Sequence, residues 1–285
     1  NITRIDQAIR ILNNLDSDWP SLMRAGLTLS SLTEIPYIHQ ATTAIGERLI
    51  RDKDFDVRWR MAQALGKIPN SDSVRYLIQA LSDSSFYPRD EAAWSLARLG
   101  KIAVSPLLQR ADDFPPDKAV FAALSLGRSS VPEAEEKAVK ILNKLLETDD
   151  VFQLCDVVYF AGEIAKASPS RYLIEPINDL LNKTKHPRLA MICCWALGEF
   201  GQYFEDYVDW NTIQQHISDD IFILARFEAI VALGKRATVS GDPSQLIPII
   251  KCLEDASSRI RFGAIQSIRC FVDANPKAHI PQLIN

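Results

Sequence analysis

The sequence has no apolar stretch that could cross a bilayer. Its longest, Leu189 to Gly198, runs about ten residues, against the ~20 that a spanning helix needs. It has no excess of positive charge either. Lys and Arg number 32 against 36 acidic residues, a net charge of -4, so the basic footprint of a generic nucleic-acid binder is missing. Gly66-Lys67, Gly100-Lys101 and Gly234-Lys235 all lack the frame of a phosphate-binding loop. A nucleophile elbow and a Gly-rich dinucleotide fingerprint are absent too. The histidines, His39, His186, His216 and His279, share no metal-ligand spacing, and no metal site is expected. The first residues, Asn1 to Asp6, lack the apolar core of a signal peptide.

Cysteine is scarce and odd in number: Cys155, Cys193, Cys194, Cys252 and Cys270, with no C-x-x-C pair. Cys193 and Cys194 are neighbours in a helical pattern, which points their side chains apart and disfavours a mutual disulfide. Thiols used as small apolar core residues imply a reducing compartment, so a cytoplasmic location is expected. What remains, 47% hydrophobic and 24% charged residues, is the composition of an ordinary folded protein.

One line of sequence recurs. It reads Asp56-Val-Arg-Trp-Arg-Met-Ala-Gln-Ala-Leu-Gly66 and returns as Ala225-Arg-Phe-Glu-Ala-Ile-Val-Ala-Leu-Gly234. Weaker copies begin near Ser21, Pro88, Lys118, Gln153, Leu189 and Ile260. The Gly-equivalent positions are 30, 66, 97, 127, 162, 198, 234 and 269, a near-constant period of 30 to 36 residues. Between them lies a second helical pattern, such as Val74, Leu77, Ile78, Leu81 or Leu173, Ile174, Ile177, Leu180, Leu181. Each unit is therefore a pair of helices, A then B, joined by Asp-rich turns such as Asp52-Lys-Asp54 and Asp219-Asp220.

Ala62, Ala93, Ala122 and Ala229 allow close helix approach, and the marker Gly suits a helix end. Pro20, Pro36, Pro106, Pro176, Pro187 and Pro248 are placed at unit junctions or in first turns. No strand alternation is present. A single pair cannot bury its own apolar face, so stacking must supply the core. The expected fold is all-α, a right-handed α-solenoid of about eight stacked pairs spanning residues 1–285 as one domain. A partial ninth helix is expected over 276–285. An exposed apolar end, or a continuation of the chain, should follow it.

The period, the Asp-then-Val-Arg turn and the Ala-x-Ala-Leu-Gly helix resemble HEAT repeats. The shorter units between markers 66 and 127 resemble the subtype found in phycobilisome lyases. Arg stands at the second turn position in Arg58, Arg89, Arg226 and Arg261, but gives way to Ala119, Leu154 and Ala190. Cross-repeat Asp–Arg pairs should thus be weakest in the middle of the chain. No His-Glu dipeptide occurs, which argues against the di-iron hydroxylase branch of the HEAT family.

In such solenoids the B helices line a concave groove. The residue three before each marker should face it: Leu27, Gln63, Trp94, Leu124, Tyr159, Trp195, Val231 and Gln266. Four positions on come Lys67, Arg98 and Arg128, then Glu163 and Glu199, a basic half followed by an acidic half. The acidic half argues against the helical-repeat DNA glycosylases. Trp59 and Arg60 extend the groove by one turn. No cofactor and no catalytic residue is expected. The reading favoured is a non-catalytic scaffold or adaptor that holds a partner protein in the groove. Trp94, Tyr159 and Trp195 would anchor it, and the charges would set its orientation.

The alternative, implied by the lyase resemblance, is a phycobilin lyase or bilin carrier. Arg98 and Arg128 would then pair with bilin propionates, the aromatics would stack on the rings, and Glu91 or Asp156 would bond the pyrrole nitrogens. Many such lyases act as pairs of different chains, so this reading implies a hetero-oligomer.

Overall fold

The computed structural model describes residues 2–14, 17–31, 35–218 and 222–278. Among them are sixteen α-helices and no strand. Chain packing gives two compact units, Asn1–Ile141 and Leu142–Asn285.

In the first unit the A helices are α1 (Ile2–Asn13), α3 (Ile35–Arg51), α5 (Ser71–Ala80) and α7 (Lys101–Arg110). The B helices are α2 (Trp19–Ser30), α4 (Phe55–Leu65), α6 (Phe86–Leu99) and α8 (Pro116–Gly127). Helix α9 (Pro132–Leu145) runs across the division. The second unit continues with α10 (Val151–Ala165), α11 (Ile174–Lys183), α12 (Pro187–Phe200) and α13 (Trp210–Ile217). It ends with α14 (Ile223–Ser240), α15 (Ile247–Lys251) and α16 (Ser258–Ala274). Each B helix packs on the next within its unit: α2 on α4, α4 on α6, α6 on α8, and α10 on α12, α12 on α14, α14 on α16. Each unit is thus an all-α stack of helix pairs, eight pairs in all among the described residues.

The Asp-rich turns work as helix starts. Asp18, Asp54 and Asp150 accept backbone N–H bonds at the first turns of α2, α4 and α10, satisfying donors that a helix leaves open. The repeated arginine ties turns together. Arg58 grips the carboxylate of Asp83 with two bonds of 2.7 and 2.8 Å and also donates to the carbonyls of Asp52 and Lys53. Arg226 does the same with Asp255 and the Ile217 carbonyl. Ala119, Leu154 and Ala190 at the equivalent middle positions are buried apolar residues, so the expected thinning of these pairs is present.

Ala62, Ala93, Ala122 and Ala229 are all fully buried, and three serines exploit the close approach they allow. Ser95 donates to the Ala62 carbonyl, Ser125 to that of Ala93, and Ser267 to that of Ile230, at 3.0 to 3.3 Å. Each hydroxyl reaches from one B helix to the backbone of the preceding one.

Three expectations need correction. The marker glycines were expected to be left-handed helix ends, yet Gly162, Gly198 and Gly234 lie inside α10, α12 and α14. They are small because the next B helix sits against them: a Cβ on Gly162 would fall 2.3 Å from the Trp195 ring. The glycines with positive φ are Gly100 and Gly241 instead. Pro106 lies inside the ten-residue α7 rather than in its first turn, where it removes the bond an N–H would make to the Ile102 carbonyl. Of the ninth helix expected over 276–285, residues 276–278 form no helix. The rest of it lies outside the described residues, as do Asp219, Asp220, the Pro36 side chain and His279.

Candidate functional site

The candidate residues fall into two sets, one on the B helices of each unit. In the first unit, Glu91 of α6 is a hub. One oxygen takes the Arg98 guanidinium at 2.5 Å and the Ser95 hydroxyl at 3.3 Å, and the other takes the Trp59 indole N–H at 3.3 Å. Trp94, half-buried, carries the Arg128 guanidinium 4.6 Å above its ring. Arg60 lies 4.0 Å over Trp59 and donates to Gln63 at 3.4 Å. Both are stacked cations, a geometry that stabilises where the ring and the charge share low-dielectric surroundings. Lys67 is exposed just beyond the end of α4.

Between α2 and α4 lies a cavity of about 290 Å³. Its floor is Met61 and Ala64, its walls are Trp19, Met23 and Leu27, and Arg60, Gln63 and Lys67 stand at its edge. Gly26 adds no bulk there: a Cβ would meet the Met61 methyl at 3.0 Å.

In the second unit, Tyr159 of α10 and Trp195 of α12 are stacked, with ring centroids 5.4 Å apart and planes at 21°. Tyr159 is 41% exposed and Trp195 is half-buried, the offset arrangement aromatic pairs prefer. Lys166 sits 4.8 Å from the Trp195 ring and 2.7 Å from Glu163. Asp156, one turn before Tyr159, is exposed. A second crevice, about 190 Å³, opens between α14 and α16 beside Val231, Lys235, Gln266 and Cys270.

The acidic half of the predicted charge order is not open to a ligand. Glu199 is buried and held by Lys235 at 2.6 Å and Gln202 at 3.0 Å, and Glu163 is held by Lys166. Leu124, expected to face the groove, is fully buried. Helix α8 is apolar or small at every position from Ala119 to Gly127, so it has no polar face to turn outward.

Sequence reasoning missed an aromatic cluster at the N-terminal ends of α4 and α6. Phe55 stacks on Tyr87 at 5.8 Å, and Trp59 and Phe86 flank that ring at 6.2 and 5.9 Å. The available signal was positional, since Phe55 and Phe86 both stand eleven residues before their markers. It missed Glu228 as well, whose carboxyl is pushed above the ordinary value by burial and by Glu199, against the pull of Lys235 and Arg259.

Four of the five cysteines are buried and Cys270 is exposed, all as free thiols. Burial raises the thiol pKa of Cys155, Cys193, Cys194 and Cys252, which makes them inert packing groups. No group of three or more His, Cys, Asp or Glu side chains among the described residues could hold a metal ion. Nor is any helix among them long and apolar enough to cross a membrane.

Stacked helix pairs with close B–B packing define an α-solenoid. Residues 42–125 match the family model for HEAT repeats. No curated protein matches it. Among solved structures it is similar to Kap95p in complex with RanGDP, with a TM-score of 0.60 and 11% identity over 93% of this chain and 44% of that one. The phycocyanin lyase complex of CpcE and CpcF from Nostoc sp. PCC7120 gives 0.43 and 21%, covering 82% of this chain and 94% of that one. Human deoxyhypusine hydroxylase with glycerol gives 0.38 and 16%, covering 95% and 96%. At these identities the likeness is one of fold.

Proposed function

We propose that this protein is a non-catalytic scaffold or adaptor that binds a partner protein on the face formed by its B helices. The observation that carries the reading is the Tyr159–Trp195 stack, with its outer ring 41% exposed. Rigid amphipathic rings lose little entropy on contact and dominate the energetics of protein interfaces. Stacked arginines beside Trp59 and Trp94 supply a polar fringe in the first unit, which sets orientation and association rate more than affinity. Buried free cysteines fit a reducing location, and we place the protein in the cytoplasm.

The bilin alternative has less support. Arg98 and Glu91, expected to meet propionates and pyrrole nitrogens, are bonded to each other. A ligand would have to break that pair first.

The test is cross-linking of the full chain in lysate of its source, followed by peptide mapping, for the wild type and Tyr159→Ala. Cross-links from B-helix residues to a discrete partner that vanish in the variant support the reading. A partner held equally by both proteins overturns it. A titration with a free open-chain bilin should leave the bilin's visible band unchanged; a sharpened, red-shifted band lost in Arg128→Ala would favour the alternative.

A further inference from the structure

The cavity between α2 and α4 has an apolar interior and a cationic edge, and no carboxylate lines it. Leu27 is 60% and Trp19 48% exposed, so a large part of its wall is apolar surface left in water, a state that marks a binding site. Met23 and Met61 give it an adaptable lining, because the thioether chain conforms to different shapes.

The cations at its edge are differently held. Arg60 is fixed by its stacking on Trp59 and its bond to Gln63. Lys67, exposed, forms no ion pair among the described residues. The matching crevice between α14 and α16 is smaller, and its Lys235 is already neutralised by Glu199. Of these two crevices, the one in the first unit has a lysine at its edge that forms no ion pair among the described residues, whereas the lysine of the other is paired. At about 290 Å³ it lies at the lower end of the ~300–1,000 Å³ typical of binding pockets, and one large apolar side chain fits within it.

We infer that this pocket receives a leucine, phenylalanine or tryptophan side chain from an acidic segment of a partner protein, with the segment's carboxylates on Arg60 and Lys67. The inference rests on the protein-binding reading above and adds the chemistry of the partner. Burial of the apolar side chain supplies affinity, and the charge pair selects against basic segments. Binding should weaken as salt rises, because both cations lie at the exposed edge.

The test selects random twelve-residue peptides displayed on phage against the immobilised full chain. Enriched peptides are then labelled and titrated by fluorescence anisotropy. Peptides with a large apolar residue next to Asp or Glu should be enriched. Their Kd should rise at least tenfold in Leu27→Asp and in Arg60→Glu/Lys67→Glu, and stay unchanged in Glu136→Ala, an exposed position on α9 outside the pocket. Lys67→Glu alone, at an exposed position, should give a smaller rise in the same direction, and circular dichroism would confirm that each variant keeps its helices. Enriched peptides that are basic, or that bind Leu27→Asp as tightly as wild type, overturn the inference. Peptides lost in Tyr159→Ala but kept in Leu27→Asp overturn the pocket and leave the wider reading standing. No enrichment, or peptides insensitive to every one of these variants, overturns both.

Discussion

The Trp195 ring lies over Gly162, so close that a single methyl group on that glycine would fall 2.3 Å from it. A small residue on α10 thus makes room for a large one on α12, and the large one in turn backs the exposed Tyr159. The site and the packing of the second unit are built from the same contact. Gly162→Ala should lower stability despite alanine's better helix propensity, because a well-packed position charges about 1–3 kcal/mol for added bulk. Trp195→Leu should restore part of the loss. Urea melts of the two single variants and the double variant give the coupling directly, and additive effects would show that the contact does not matter.

Arg58 and Asp83 form a pair with little solvent access on either side. Asp83→Ala leaves the guanidinium with two carbonyls and only the more distant charges of Asp52 and Asp54, and a buried pair broken on one side costs up to about 3–5 kcal/mol. Glu136→Ala, which removes an exposed partner of Lys140 on α9, should leave the melting point unchanged. Equal effects of the two substitutions would refute the distinction.

Glu228 makes the opposite contribution. Burial raises its folded pKa above the unfolded value of ~4.3. The protonated form is therefore favoured by folding, and the stability it brings is present at low pH and lost as pH rises through the folded pKa. Glu228→Gln should raise the Tm at pH 7 and flatten the Tm profile above about pH 4.5. A lower Tm at pH 7 would show that the charged form is needed by Lys235 and Arg259.

Asp209 and Asp242 run the other way. Hydrogen bonds from Thr212 lower the first, and bonds from Ser244 the second. Their contribution is present above the unfolded carboxylate pKa of ~3.9 and disappears as pH falls through the lowered values. Acid unfolding should set in below about pH 4, and Asp209→Asn should weaken that dependence when followed by circular dichroism.

Thiol titration checks the core. Cys270 is exposed, while Cys155, Cys193, Cys194 and Cys252 are buried. Ellman's reagent should find one fast thiol in the native chain and four more in guanidinium. More than one fast thiol would mean that the helix pairs open readily.

Helix pairs and their order were legible from the recurring Ala-Leu-Gly line, because stacking forces small residues to the same position in each unit. The aromatics of the B face were legible from the same register. What was not legible was the far side of each contact. Glu199 reads as an exposed charge until Lys235, thirty-six residues on, is seen beside it. Leu124 reads as a groove residue because the register assigns it a face, but α8 has no polar side to define one. The marker glycines read as caps because a caps rule is local, whereas the Trp195 ring that explains Gly162 comes from the next repeat.

The serine hydroxyls that reach back to a preceding helix have a mechanical consequence. Ser95 and Ser267 each pin a B helix to its neighbour's backbone, and Ser125 shares its hydroxyl between Ala93 of the neighbour and Phe121 of its own helix, so those helices cannot slide past one another without giving up a buried bond. In α2 the equivalent residue is Thr28, whose hydroxyl closes on its own helix at the Arg24 carbonyl, and in α4 it is Ala64. A chain pulled from its ends should then yield stepwise rather than stretch smoothly, with the α1–α2 pair detaching before the serine-tied pairs of the first unit.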